Sequence, residues 1–432
     1  MKTKTIIFGL LLLTLPYSKT VAQSDSLSPH SGSLSPHSDS PQLPYSDYFT
    51  PRDGLHGFYT AVTKQKKATV AFLGGSITFN PGWREKVCTY LTARFPETDF
   101  HFIAAGIPSL GSLPHAFRVQ QDVLDSGRID LLFLETAVND RVNGTDSLTQ
   151  VRCLEGILRH VRKANPGGDI IMMAFADSDK IADYDRGIVP VEIANQDLVA
   201  GHYGLPSINL GKEVHDKIRN KEFDWKLDFR DLHPSPFGQE LYFQNIKCLL
   251  DTCGKWYPDS SANGSSPFSS ANASSPISSA NGSSPPPLDN ANLDNGRYAP
   301  VSQARHNNAW ILHRDWQPAD TAGTRPGFVH VPVLSGERPG AKLTLPFEGT
   351  AVGIAVVSGP DAGIVEYAID NGPWRSVNLF TKWSNRLHLP WFILFGSGLP
   401  PGSHVLQLRI GQEKDPNSRG HACRIVHFLV NR

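Results

Sequence analysis

Two short stretches of the chain carry residues whose types and order suit acyl transfer. In the first, FLGGSITFN, Ser76 follows an apolar strand directly, has Gly74 and Gly75 before it and runs into a helix. The glycines permit a tight strand-to-helix turn, and the helix start aims N–H groups and the positive dipole end at a developing oxyanion. Taken alone, a Gly-Gly-Ser turn is structural more often than catalytic, and a phosphate-cradling loop is the rival functional reading. The stretch lacks the Lys of a P-loop and the third Gly of a dinucleotide fingerprint. The second stretch, DFRDLHPSPFGQ, offers His233 just before the last helix of its region. A serine nucleophile needs a base within hydrogen-bond reach, and imidazole titrates where that work is done. Asp231 lies two residues before the histidine, and a Pro-rich turn follows it.

The elements that must position these residues alternate between strand and helix. TVAFLG, DFHFIAAG, IDLLFLETA, DIIMMAFA and LPSINL read as strands. Between them, PGWREKVCTYLTARF places Trp83, Val87 and Leu91 on one helical face. DSLTQVRCLEGILRHVRKAN, VPVEIANQDLVAGHYG and PFGQELYFQNIKCLL read as further helices. Continuous apolar strands separated by amphipathic helices predict a parallel sheet covered on both faces, with ligands beyond the carboxyl ends of its strands.

These segments, in this order, resemble the SGNH (GDSL-like) hydrolase family over roughly residues 55–252. GGSIT matches the family's first block, with Ser76 as nucleophile. Gly106 in IAAGIPSLGS matches the second-block glycine, and Asn139 in ETAVND the third-block asparagine. DLHPS matches the last block, with His233 as base. The resemblance implies a flavodoxin-like three-layer α/β domain and a Ser-His-(Asp) acyl-enzyme mechanism. The N–H groups of Ser76 and Gly106 and the Asn139 amide would then form the oxyanion hole, with no metal or organic cofactor. Three departures stand out. Gly75 replaces a common Asp, Ala137 a common Gly, and Arg230 occupies the place of the family's acid, three residues before the histidine. Asp231 is the choice for orienting His233; Asp228, or a dyad with a backbone carbonyl on the imidazole, remains open.

Other residues have competing readings. Glu135 and Asp140 flank Asn139 as an acid/base pair for glycoside hydrolysis would, or else they cap the strand end. Arg141 is a candidate for an anionic substrate group or a salt bridge, and His115 a candidate for lining the cleft. His202 and His215 fall on helical segments and read as structural.

At 432 residues the chain is too long for one core. We divide it into a signal peptide (1–22), a Ser/Pro/His tether (23–43), the hydrolase domain (44–257), a Ser/Asn/Pro repeat linker (258–291) and an all-β sandwich or jelly roll (292–432). Lys2 and Lys4, a short apolar run and small residues near Ala22 predict export, secreted or periplasmic, and no later stretch is apolar enough for a transmembrane helix. Lys+Arg and Asp+Glu both number 41, so no basic face is implied and nucleic acid is not an expected partner. Five cysteines, an odd number, read as small buried hydrophobes rather than a disulfide framework, although Cys248 and Cys253 are near enough in sequence to bridge. In the β region, Asp370-Asn371-Gly372 predicts a hairpin turn, and Leu406, Leu408 and Ile410 share one strand face. Trp310, Trp316, Trp374, Trp383 and Trp391 suit either sugar stacking or core packing. The expected function is an exported esterase removing acyl groups, O-acetyl above all, from a polysaccharide or oligosaccharide. An inactive glycan-binding protein and a lipase or lysophospholipase on the same fold are the alternatives. Neither the glycan nor the oligomeric state follows from the sequence.

Overall fold

The computed structural model describes residues 41–257 and 285–432. The expected signal peptide, the tether up to residue 40 and linker residues 258–284 lie outside the described residues.

The first region is an α/β domain. Its strands are β1 (Phe49–Thr50), β2 (Lys67–Gly74), β3 (Asp99–Gly106), β4 (Leu131–Glu135), β5 (Asp169–Ala174) and β6 (Ser207–Asn209). Its helices are α1 (His56–Thr60), α2 (Ser76–Phe79), α3 (Trp83–Arg94), α4 (Ser112–Asp122), α5 (Ala137–Asn143), α6 (Ser147–Ala164), α7 (Ser178–Asp185), α8 (Val191–His202), α9 (Leu210–Arg219) and α10 (Pro236–Gly254). The sheet order is β1-β6-β5-β4-β2-β3, parallel except for the short β1. This is the flavodoxin-like arrangement, with its switch point at β2, which has β3 on one side and β4 on the other. Alternate residues of β2 and β4 are apolar toward both faces. Ala71, Leu73, Leu132 and Leu134 join one core cluster with α4, α6 and α8. Val70, Phe72, Leu131 and Phe133 join the other, with α3, α9 and α10. That double burial is why these strands read as unbroken apolar runs.

The second region is a β sandwich. It contains β7 (Gly296–Ala299), β8 (Arg305–His306), β9 (Trp310–Trp316), β10 (Val331–Gly336), β11 (Lys342–Glu348), β12 (Ala351–Ser358), β13 (Ile364–Ile369), β14 (Arg375–Asn378), β15 (Leu389–Ser397), β16 (Ser403–Ile410) and β17 (Cys423–Asn431). One antiparallel sheet runs β15-β12-β17-β10-β9, with β7 also pairing β17, and the other runs β14-β13-β16-β11-β8. The hairpin β13–β14 turns through Asp370 and Asn371, at φ 51° and 60°. Gly372 closes the turn by donating its N–H to Ile369 O at 2.8 Å. Positive φ at both central residues matches the twist of the flanking strands.

The two regions share an apolar cluster. Val357, Phe392, Val426 and Leu429 of the sandwich belong to the same buried set as Phe117, Leu154 and Ile157 of the α/β domain. The chain enters the sandwich along α6: Glu155, fully buried, accepts the N–H groups of Leu288 (2.5 Å) and Asp289 (2.9 Å). Arg152 pairs with Asp289 at 2.8 Å, and Leu293 is buried beside them. All five cysteines are free thiols, and Cys248 and Cys253 are not joined. Among the described residues, no helix is long and apolar enough to cross a membrane.

Trp83 is the largest fully buried side chain of the α/β domain, packed edge-on to Phe72 and Phe133. Its Nε1–H donates to Ile77 O at 3.2 Å, so it also props the helix that begins at Ser76. Trp83→Ala should therefore cost about 3–5 kcal/mol of stability, measured by urea denaturation. A loss under 1 kcal/mol would contradict this packing.

Candidate active site

Ser76 is the first residue of α2, at the switch point where β2 ends. Its Oγ lies 2.8 Å from His233 Nε2. The turn is crowded at the level of the backbone. A Cβ on Gly75 would stand 2.0 Å from Asn139 Nδ2 and 3.4 Å from Leu110 O. A Cβ on Gly106 would stand 2.5 Å from Phe79 N. The structure thus brings Ser76, His233 and Asn139 together, and it gives Gly106 a visible task of letting α2 pass over the end of β3.

Asn139 sits on α5, nearly buried. The start of that helix is anchored by Lys180, a fully buried side chain that sequence reasoning missed. Its Nζ donates to Ala137 O at 3.1 Å and pairs with Asp177 at 2.5 Å. Glu135 accepts the Val138 N–H at 3.2 Å, and Asp140 accepts both the N–H (2.8 Å) and the hydroxyl (2.9 Å) of Ser112. Burial pushes the Glu135 carboxyl up to about 7 and that of Asp140 up to about 6. Both acids are turned into the protein, bracing loops as caps do, and do not form a pair across a cleft.

The loop around His233 is held through its main chain. Arg230, at φ 89°, folds its guanidinium back onto His233 O, with Nε donating at 3.1 Å. Asp231 accepts the His233 N–H at 2.6 Å, and Ser235 Oγ donates to Asp228 O. Asp228 uses its carboxylate on the Asp224 N–H at 2.7 Å. The imidazole Nδ1 is 3.9 Å from Asp231 Oδ1, too far for a hydrogen bond, and no described residue bonds to it. Asp231 therefore acts on the ring as a nearby charge. Burial lowers the imidazole's proton affinity; Asp231 opposes that, and the Arg230 and Arg325 charges reinforce it. The net result lies below the ordinary histidine value.

Two candidate substrate contacts are placed elsewhere. Arg141 is occupied by Asp183 at 2.6 Å and Glu192 at 3.0 Å. His115 does not line the cleft, because it is fully buried on α4, where desolvation and then the Arg118 charge keep it neutral. Trp310 and Trp316 are buried in the sandwich, Trp391 packs against its core, and Trp374 and Trp383 are exposed. His202 and His215 lie on α8 and α9 as read. Sequence reasoning missed Ser109, which takes a left-handed φ of 74° in the loop after β3, and Arg325, whose Nε reaches Ser109 Oγ at 3.4 Å. Both depend on tertiary approach; no local pattern marks them.

The model of the GDSL-like Lipase/Acylhydrolase family matches residues 72–241. Two solved structures are similar over both regions. One is a two-domain esterase (CEX) active on acetylated mannans, co-crystallized with mannopentaose. It is 18% identical, with a TM-score of 0.67, covering 90% of this chain and 98% of that one. The other is the same kind of two-domain esterase active on acetylated mannans, 17% identical, with the same TM-score and coverage. No curated protein matches the chain. With the block residues assembled on a flavodoxin-like sheet, the α/β domain is similar to the GDSL-like lipase/acylhydrolase family over residues 72–241.

Proposed function

We propose that the chain is an exported serine esterase that removes acyl groups, acetyl in the first place, from a glycan. The observation that carries this reading is the 2.8 Å contact between Ser76 Oγ and His233 Nε2 beside the Asn139 amide. His233 takes the Ser76 proton as Oγ attacks the ester carbonyl. The Ser76 N–H, the Asn139 amide and the main chain at the Gly106 end of β3 bind the oxyanion. His233 then returns the proton to the departing sugar oxygen, and water releases the carboxylic acid by the same route. Support for a carbohydrate ester comes from the two-domain relatives, which act on acetylated mannans and share this fold. Export rests on residues 1–22. A second reading, a glycan-binding protein without turnover, is favoured by one observation, that among the described residues the carboxylate beside His233 Nδ1, Asp231, stands 3.9 Å away.

Fluorophosphonate labelling separates the two readings: Ser76 should be labelled, and a folded, unlabelled protein would reject the esterase. Ser76→Ala should abolish acetate release, and Asn139→Ala should lower kcat by about 10²–10³. Because Asp231 does not hydrogen-bond the ring, Asp231→Asn should lower kcat/KM by only about tenfold, against the ~10⁴ seen where the acid fixes the tautomer. The neutral imidazole is the competent base, and its proton affinity is depressed. The acid limb of kcat/KM should therefore have its midpoint below the ordinary ~6.5 of histidine; a midpoint at or above that value would show that the Asp231 charge prevails.

A further inference from the structure

We propose that Arg325, carried by the β sandwich, is a specificity-determining residue of the esterase site, binding oxygens of the sugar that bears the acyl group. This rests on the esterase reading above and adds the substrate-recognition part to it.

Arg325 lies between β9 and β10 in a segment fixed from several sides. Gly323 N–H donates to Arg386 O at 3.0 Å, and His388 N–H donates to Gly323 O at 2.7 Å. His388 Nε2 meets Asp320 at 2.9 Å, and Phe328 is buried in the cluster shared by the two regions. The guanidinium is delivered by that frame to the wall of the nucleophile turn. Its Nε meets Ser109 Oγ at 3.4 Å, and the next residue, Leu110, sets its carbonyl against Gly75. Nη1 bonds to Thr324 O at 3.1 Å, whereas Nη2 has no partner among the described residues.

The group is half-buried and has no carboxylate opposite it among the described residues, so its desolvation cost is offset there by hydrogen bonds to Ser109 and Thr324 and by no opposite charge. Arg118 and Arg424, by contrast, are paired with Asp122 and Asp361, while Arg162 rests on the Tyr203 carbonyl and ring. Beside Ser109 lies a cleft of about 230 Å³ with walls from both regions: Leu110 and Asn143 on one side, Pro390 and Phe392 on the other. A planar guanidinium that reaches Ser109, a residue of the cleft wall, with Nη2 unpartnered among the described residues, suits oxygen acceptors held in a fixed geometry. Sugar hydroxyls and a uronate carboxylate both present them.

The test compares a small ester with two glycans. On acetylated glucomannan, which is neutral, or acetylated glucuronoxylan, which is acidic, Arg325→Ala should lower kcat/KM at least tenfold, chiefly through KM. On p-nitrophenyl acetate, which needs only Ser76 and the oxyanion donors, the change should stay under threefold. Arg325→Gln keeps donors but no charge: retained turnover of the neutral glycan assigns hydroxyls, and loss confined to the acidic glycan assigns the carboxylate. With p-nitrophenyl acetate, removing the charge should also move the acid limb to higher pH, since Arg230 and Arg325 both oppose the imidazolium while Asp231 favours it. A role confined to packing would leave that limb in place. Equal losses on small ester and glycans, unchanged rates on both glycans, or a wild-type enzyme that cleaves the small ester and neither glycan would overturn the assignment. Failure of the esterase reading itself looks different: wild type would neither cleave p-nitrophenyl acetate nor take the fluorophosphonate.

Discussion

The site depends on how closely two backbones approach at the carboxyl end of the sheet. With only hydrogen at Gly75 and Gly106, the nucleophile turn rests against the Asn139 amide and α2 crosses the end of β3. A methyl group at either position would meet another atom at 2.5 Å or less, and at Gly106 that atom is main-chain nitrogen. Side chains can swing away from such a collision, whereas main chain inside a close-packed domain cannot. On the proposed esterase reading, the donors for a developing oxyanion are therefore positioned before the reaction begins, which is the condition for electrostatic stabilisation without reorganisation.

The base is held by a different principle. Arg230, Asp231 and Ser235 all act on main-chain atoms of the loop that carries His233. Among the described residues, the ring's hydrogen bond is the one to Ser76. An acid hydrogen-bonded to Nδ1 would stabilise the imidazolium and enforce one tautomer. Here the surrounding charges are mixed, with one carboxylate at 3.9 Å set against two guanidinium groups and partial burial. On the proposed reading, the arrangement trades stabilisation of a protonated base for one that stays neutral in more acidic solution.

What the sequence revealed divides along the line between local pattern and tertiary approach. The strands of the α/β domain were legible because both faces are covered, and the helices at Trp83, Val87 and Leu91 and at residues 147–164 because one apolar stripe is. Ser76, Asn139 and His233 were legible as ordered blocks. Helix α4 was not, since its buried residues include Ser112, His115 and Arg118, which spoil the apolar periodicity. Those polar residues are inside because the helix is closed in by the sheet, by α6 and by β7 of the sandwich. The same cause hid Arg325 and removed His115 from the cleft. Asp231, chosen from the sequence to orient the His233 ring, has its carboxylate directed by a spacing of two residues in a tight turn to the histidine's own N–H, 3.9 Å short of the ring nitrogen.

The shared apolar cluster changes what the repeat-rich segment means for the enzyme. Strand β12 is buried at all its residues because Val352, Ile354 and Val356 face the sandwich core while Ala351, Ala355 and Val357 face the α/β domain. The docking is fixed again at residues 288–293 against α6, downstream of the repeat. Contacts of this kind set the orientation of the sandwich whatever number of residues joins the two parts. Lengthening a loop adds only a slowly growing entropic cost, about 0.6 kcal/mol per doubling. A polar group introduced at Val357 or Leu429 would instead meet an apolar interior at a cost of about 1–3 kcal/mol. Polar substitution is therefore costly at the interface, and the position of Arg325 beside Ser109 depends on that interface.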